Sequence, residues 1–95
     1  MQKEIKITYL KKAQKFLDKN RSVIKESEID KLMISAIKRI VFYQDVNIDL
    51  KALKGDLKGK YRIRKGKVRI IFEIKEDEVI IESIVENIDF RGSVY

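Results

Sequence analysis

The sequence predicts an α+β fold in which a hairpin of two helices packs on an antiparallel sheet, with the element order β-α-α-β-β-β. Two observations support this prediction. Apolar residues recur at helical spacing in the first half of the chain, whereas they alternate with polar residues in the second half, as in half-buried strands. A chain of 95 residues is expected to form a single domain, residues 1–95, with one core.

The first half of the chain predicts one strand followed by two helices. Two isoleucines that flank a lysine indicate a short strand at residues 3–7, and Thr8 is then expected to cap a helix at residues 9–19. The clearest helical period predicts a second helix at about residues 27–43. Its apolar stripe consists of Ile29, Leu32, Met33, Ala36, Ile37, Ile40 and Val41.

The second half predicts three strands in succession. Residues 44–59 are interpreted as a loop with one short helical turn at residues 50–54. Apolar and polar residues then alternate from residue 60 to residue 86, and this pattern is broken by two turn signals. The sequence therefore predicts an antiparallel meander over residues 60–86, with both helices packed on its apolar face.

The first hairpin of this meander is predicted to align basic residues. With a two-residue turn at positions 65–66, Arg62 lies opposite Arg69, and Arg64 lies opposite Lys67. The apolar residues then share the other face, which is the main requirement on the register.

The second hairpin is expected to supply acidic partners for two lysines. With a turn at positions 76–77, Glu86 lies opposite Lys67 and Glu78 lies opposite Lys75. The three arginines have no acidic partner across the sheet in this register.

The positive charge is concentrated in the segment from Lys51 to Phe72. This segment holds nine Lys or Arg residues and one acid, Asp56, while the whole chain has a net charge of +7. Like charges on facing strands cost stability, so their accumulation indicates a polyanionic partner such as nucleic acid. The lysines expected to contact RNA are Lys54, Lys58, Lys60, Lys65 and Lys67.

The residues that the chain lacks limit its chemistry. Without His or Cys there is no Ser-His or Cys-His nucleophile pair and no zinc site built from thiolate or imidazole. Among the reactions open to the remaining side chains, the best match is one in which arginines stabilise a phosphorane-like transition state. No metal or cofactor is expected. The absence of a long apolar run and of cysteine predicts a cytoplasmic protein that does not associate with membranes.

Several short motifs resemble the RelE/ParE superfamily, the toxins of type II toxin–antitoxin systems. They are the Leu-Lys-Gly at residues 53–55, the Tyr-Arg-Ile-Arg at 61–64, the Val-Arg-Ile-Ile-Phe at 68–72 and the Arg-Gly-Ser-Val-Tyr at 91–95. The resemblance implies a microbial RNase-like fold, in which the helical hairpin packs on a twisted antiparallel sheet. It further implies an acidic antitoxin as a partner.

The RelE branch of this superfamily implies a ribosome-dependent mRNA endoribonuclease that inhibits translation. Its catalytic residues would then be Arg62, Arg64, Arg69, Arg91 and Tyr95.

Three positions depart from the family pattern and leave two alternatives open. Phe90 stands where many relatives have His, Asp89 stands where the RelE branch can carry a catalytic arginine, and Val68 replaces an aromatic residue. One alternative is a ParE-like inhibitor of DNA gyrase without nuclease activity. The other is an inactive relative that binds nucleic acid or antitoxin only.

Overall fold

A computed structural model describes residues 3–91 and contains two helices on a five-stranded sheet. The elements are β1 (Glu4–Tyr9), α1 (Lys11–Lys19), α2 (Glu26–Ile40), β2 (Asp49–Ala52), a 3-10 helix (Gly55–Leu57), β3 (Lys60–Lys65), β4 (Val68–Glu76) and β5 (Ile80–Phe90). This order confirms the α+β class and adds one strand, β2, to the prediction.

The sheet is mixed and has the strand order β1-β5-β4-β3-β2. The strands β3 to β5 pair antiparallel, as predicted, and the additional strand β2 pairs antiparallel with β3. In contrast, β1 pairs in parallel with β5. Both helices contribute to a core against the same face of the sheet. The ring centroids of Phe16 in α1 and Phe90 in β5 are 5.0 Å apart, and Met33 of α2 lies against Ser83 of β5. Within residues 3–91, no helix has the length and apolar character needed to span a membrane.

The boundary between β1 and α1 differs from the prediction. Thr8 does not cap the helix but pairs with Ile84 inside β1, and its hydroxyl donates to Glu82 at 2.6 Å. Helix α1 begins at Lys11, because Leu10 keeps an extended backbone and continues the pairing with β5. A strand lengthened by its partner therefore replaces the first helical turn.

Helix α2 ends three residues earlier than predicted. Tyr43 has a left-handed φ of 55°, and the Gln44 N–H donates to the Lys38 carbonyl at 2.9 Å, a bond typical of helix C-termini.

A side-chain hydrogen bond connects β1 to the first turns of α2. The Tyr9 hydroxyl donates to the carboxylate of Asp30. Burial, followed by this hydrogen bond, raises the pKa of Tyr9.

The interpretation of residues 44–59 as a loop is wrong, because residues 49–52 form β2 on the sheet edge. Leu50 pairs with Ile63 and packs against the core, while Asp49 pairs with Arg64. The short helical turn lies at Gly55–Leu57 rather than at residues 50–54.

The first hairpin turns one residue later than predicted, at Gly66 and Lys67. Gly66 has a φ of 56°, which a glycine adopts without strain and which suits the first central position of a two-residue hairpin turn. Arg64 therefore pairs with Arg69, and Arg62 does not face Arg69 directly. Because the register shifts by two residues, all three arginines still lie on one face of the sheet, as predicted.

The second hairpin is shifted by four residues. The carboxylate of Asp77 accepts hydrogen bonds from the backbone N–H groups of Ile80 and Val79, and these bonds lower its pKa. The Asp77 N–H also donates to the Ile80 carbonyl, so the turn lies at residues 78–79, two positions later than predicted, and Lys75 pairs with Glu82 instead of Glu78. The predicted facing of Glu86 with Lys67 is also wrong, since Glu86 lies at a β-bulge next to the pair Ile71–Asn87.

Candidate nucleic-acid interface

Four charged residues form a row across four adjacent strands on the sheet face opposite the core. Asp49 of β2 pairs with Arg64 of β3, which pairs with Arg69 of β4, which in turn pairs with Asp89 of β5. We call this set (Asp49, Arg64, Arg69 and Asp89) the charged row. It has two facing arginines at its centre and one acid at each end.

Each arginine of this face contacts an acid, which contradicts the prediction that they lack acidic partners. Asp89 accepts a bidentate contact from Arg69, with Nε–Oδ1 at 3.0 Å and Nη2–Oδ2 at 2.7 Å. Asp49 accepts from Arg64 Nε at 3.0 Å and lies 3.6 Å from Arg62 Nη2. The missed strand β2 supplies Asp49, and the register shift of β5 brings Asp89 opposite Arg69.

A groove of about 430 Å³ opens beside the charged row. Its lining residues, called the arginine groove below, are Lys12, Leu53, Leu57, Arg62, Arg69, Ile71, Glu86 and Asn87. Lys12 belongs to α1, which follows β1 in the chain and lies against the end of β5. The Arg62 side chain is only 13% exposed, so it is the most firmly enclosed of the cations.

The groove combines cations with an apolar lining. Ile71, Leu53 and Leu57 offer a surface on which the flat face of a nucleobase can pack, and Arg62 and Arg69 offer the planar forks that bind phosphate oxygens in pairs. This combination suits a single-stranded nucleic acid, whose bases and phosphates are both accessible.

Comparison with solved structures finds the same architecture in several bacterial toxins. A copper-bound mutant toxin from Helicobacter pylori is 20% identical with a TM-score of 0.69, and the alignment covers 95% of this chain and 98% of that one. A YoeB/ParE toxin from Agrobacterium tumefaciens is 19% identical with a TM-score of 0.63 and coverages of 90% and 98%. The chain has the RelE-like toxin fold.

The toxin–antitoxin complex RelBE2 from Mycobacterium tuberculosis is also similar, at 17% identity, a TM-score of 0.59 and coverages of 90% and 96%. No protein-family model and no curated protein matches the sequence. The fold that the resemblance to the RelE/ParE superfamily implies is confirmed by the solved structures.

On this RelE-like fold, Lys60 lies on the arginine face but forms an ion pair. Its ammonium group donates to the carboxylate of Glu86, and its strand position faces Glu73. The hydrogen bond to Glu86 raises the pKa of Lys60, and the charges of both acids add to the increase. A phosphate that approached Lys60 would compete with these two carboxylates.

Lys65 and Lys67 lie apart from the arginine groove. Lys65 pairs with the buried Val68, and both lysines line a second cavity of about 530 Å³ next to the connection between α1 and α2. Arg91 lies at the same turn, where its Nη1 donates to the Gly66 carbonyl at 3.0 Å. The lysines expected to contact RNA are therefore divided between two sides of the sheet.

The remaining predicted site residues lie at the rim of the arginine groove or outside the described structure. Lys54 and Lys58 are exposed and flank the 3-10 helix, whose Leu57 lines the groove. Tyr95 lies outside the described residues, as do positions 92–94.

Sequence reasoning missed four polar residues of this site: Lys12, Asp49, Glu86 and Asn87. A signal for Asp49 was present, because Val46, Ile48 and Leu50 alternate with polar residues, as in a strand. Lys12, in contrast, reaches the groove only through the packing of α1 against β5, which no local pattern encodes.

Proposed function

We propose that this protein is the toxin of a type II toxin–antitoxin system and acts as a ribosome-dependent mRNA endoribonuclease that inhibits translation. The observation that carries the proposal is the arginine groove on a RelE-like fold. Arg62 and Arg69 line one groove together, beside an apolar surface that suits a base. The site thus offers binding for both parts of a ribonucleotide.

The proposed reaction needs positive charge more than a strong base. The 2′-oxygen of the substrate attacks the adjacent phosphorus and loses its proton, while the bond from phosphorus to the 5′-oxygen breaks and that oxygen gains a proton. The products are a 2′,3′-cyclic phosphate and a 5′-hydroxyl end. Arg62, Arg64 and Arg69 stabilise the negative charge that accumulates on the pentacoordinate phosphorus.

The resemblance to the RelE pattern assigns two further residues to this reaction. Tyr95 is the candidate for moving a proton, and Arg91 the candidate for an additional phosphate contact. The position of Arg91 at the β3–β4 turn leaves it available only if its contact with the Gly66 carbonyl is exchanged for one with substrate.

An acidic antitoxin and mRNA on the ribosome are the proposed partners, in the cytoplasm. Two of the similar solved structures are complexes of a toxin with its antitoxin: RelBE2 and the RelB–RelE complex from Methanococcus jannaschii, which is 20% identical with a TM-score of 0.52. The positive net charge of +7 favours a partner of opposite charge.

One observation favours a second candidate, a ParE-like inhibitor of DNA gyrase that cuts nothing. Asp89 neutralises the charge of Arg69 through two hydrogen bonds, and such an ion pair is compatible with an arginine that has no catalytic role. An inactive relative that binds only RNA or antitoxin is a third candidate on the same ground.

Purified protein separates these candidates in two parallel assays. Cleavage of a translated mRNA, with ribosomes and without them, is measured beside the supercoiling activity of gyrase. The proposal predicts cleavage that requires ribosomes and unchanged supercoiling. Inhibited supercoiling with intact mRNA would instead establish the gyrase candidate, and no effect in either assay would leave the inactive relative.

A further inference from the structure

The charged row presents an electrostatic arrangement that the proposed function does not explain. Arg64 and Arg69 lie directly opposite each other on neighbouring strands, where like charges repel. Asp49 and Asp89 bind them from the two outer sides. The row is therefore neutral in sum, although its two arginines belong to the most basic segment of the chain.

We infer that a substrate phosphate binds between Arg64 and Arg69, and that Asp89 competes with this phosphate for the guanidinium group of Arg69. The inference rests on the proposed function and adds a residue that limits its affinity for RNA. Asp89 offers Arg69 two oxygens in the geometry that a phosphate would use, so the two anions occupy the same positions on Arg69.

The exchange is feasible because the ion pair is accessible to solvent. The side chains of Arg69 and Asp89 are 34% and 32% exposed, and ion pairs of this kind contribute little stability. Asp49 is more exposed still, at 45%, and divides its contacts between Arg64 and Arg62. A phosphate dianion or diester can therefore replace either carboxylate without unfolding the sheet.

The inference predicts weak binding with a shallow salt dependence for the natural protein. Each phosphate that a protein cation neutralises releases counterions condensed on the RNA, and a cation shared with a carboxylate neutralises its phosphate less fully and so releases fewer of them. Removing the charge of Asp89 is then expected to strengthen RNA binding and to steepen its salt dependence.

The test compares Asp89→Asn with Glu78→Gln in the full chain. Both variants remove one negative charge with little change in shape, but Glu78 is exposed at the β4–β5 turn, away from the arginine groove. The probe is a fluorescein-labelled 2′-O-methyl oligoribonucleotide, which lacks the attacking hydroxyl and cannot be cleaved. Its affinity is measured by anisotropy over a series of salt concentrations.

Asp89→Asn is expected to bind about fivefold more tightly, the upper end for a partly exposed ion pair. The slope of log affinity against log salt should become steeper by about 0.7, the value for one further phosphate on a single strand. Glu78→Gln should show neither change, and adding Arg69→Ala to Asp89→Asn should abolish the gain. Asp49→Asn, which releases Arg64, provides a second variant should Asp89→Asn not fold.

Each outcome decides a specific question. If the natural protein binds and Asp89→Asn binds no more tightly than Glu78→Gln, the competition is refuted while the proposed function stands. If the gain persists without Arg69, the competition is also refuted, because another cation then takes the phosphate. If neither the natural protein nor any variant binds the oligonucleotide, the inference fails, whereas the proposed function is decided separately by the cleavage assay with ribosomes.

Discussion

Replacing Arg69 by alanine is expected to separate catalysis from stability in this protein. Arg69 lies at the centre of the charged row and lines the arginine groove. If its guanidinium group stabilises the pentacoordinate phosphorus, its loss should raise the activation barrier by about 3 kcal/mol, or reduce the rate about a hundredfold. The free energy of unfolding should change by less than about 1 kcal/mol, because Arg69 and Asp89 are both about one-third exposed and Arg64 loses a facing positive charge.

The assay measures the rate at which each purified variant cleaves a single mRNA in the presence of ribosomes. Urea unfolding of each protein gives its free energy of unfolding. Arg21→Ala serves as the matched control, because Arg21 is exposed in the α1–α2 connection and lines a different cavity. Arg69→Lys should retain part of the activity, since it keeps the charge but loses the planar fork. Cleavage at the natural rate by a folded Arg69→Ala protein would refute the role assigned to the charged row.

Three further predictions concern stability and are tested by unfolding. Tyr9→Phe should lower the free energy of unfolding by about 1–2 kcal/mol, because it removes the donor to the carboxylate of Asp30, whereas Tyr43→Phe, at a residue 89% exposed, should have no measurable effect in the same urea titration. Asp77→Ala should lower the melting temperature at neutral pH. Because the folded-state pKa of Asp77 is lowered, this loss should be full above the unfolded pKa of about 3.9 and should vanish as pH falls through the folded value, in melts over a pH series. Gly66→Ala should cost about 1 kcal/mol in urea unfolding, because its φ of 56° strains an alanine although the added Cβ meets no atom within 4 Å.

The helices and the polarity of the sheet faces could be predicted because both depend on local periodicity. The stripe from Ile29 to Ile40 supplies four buried residues of α2, and residues at alternate positions of β4, such as Ile70 and Phe72, are fully buried. These patterns persist whatever the neighbouring element is, so the sequence alone suffices.

The strand registers could not be predicted, because any even shift keeps every apolar side chain on the core face. The first turn lies one position later than predicted, and the pairing of its strands differs by two residues, because Gly66 can occupy either place in a two-residue turn. The second pairing differs by four because the Asp77 carboxylate accepts from the N–H groups of Val79 and Ile80 and so fixes the turn at residues 78–79, two positions later than predicted. These shifts decide which acid meets which arginine, so the shared face of the arginines was predicted correctly while their pairing with Asp49 and Asp89 was not.

Induction of the protein in growing bacteria, with the 5′ ends of RNA mapped from the arrested cells, tests the central claim most directly. If the arginine groove cleaves mRNA on the ribosome, new 5′-hydroxyl ends should accumulate within translated coding regions, and untranslated RNAs should remain intact. Growth arrest with intact mRNA, together with damaged DNA or DNA that has lost its negative supercoiling, would contradict the ribonuclease function and point to gyrase as the target.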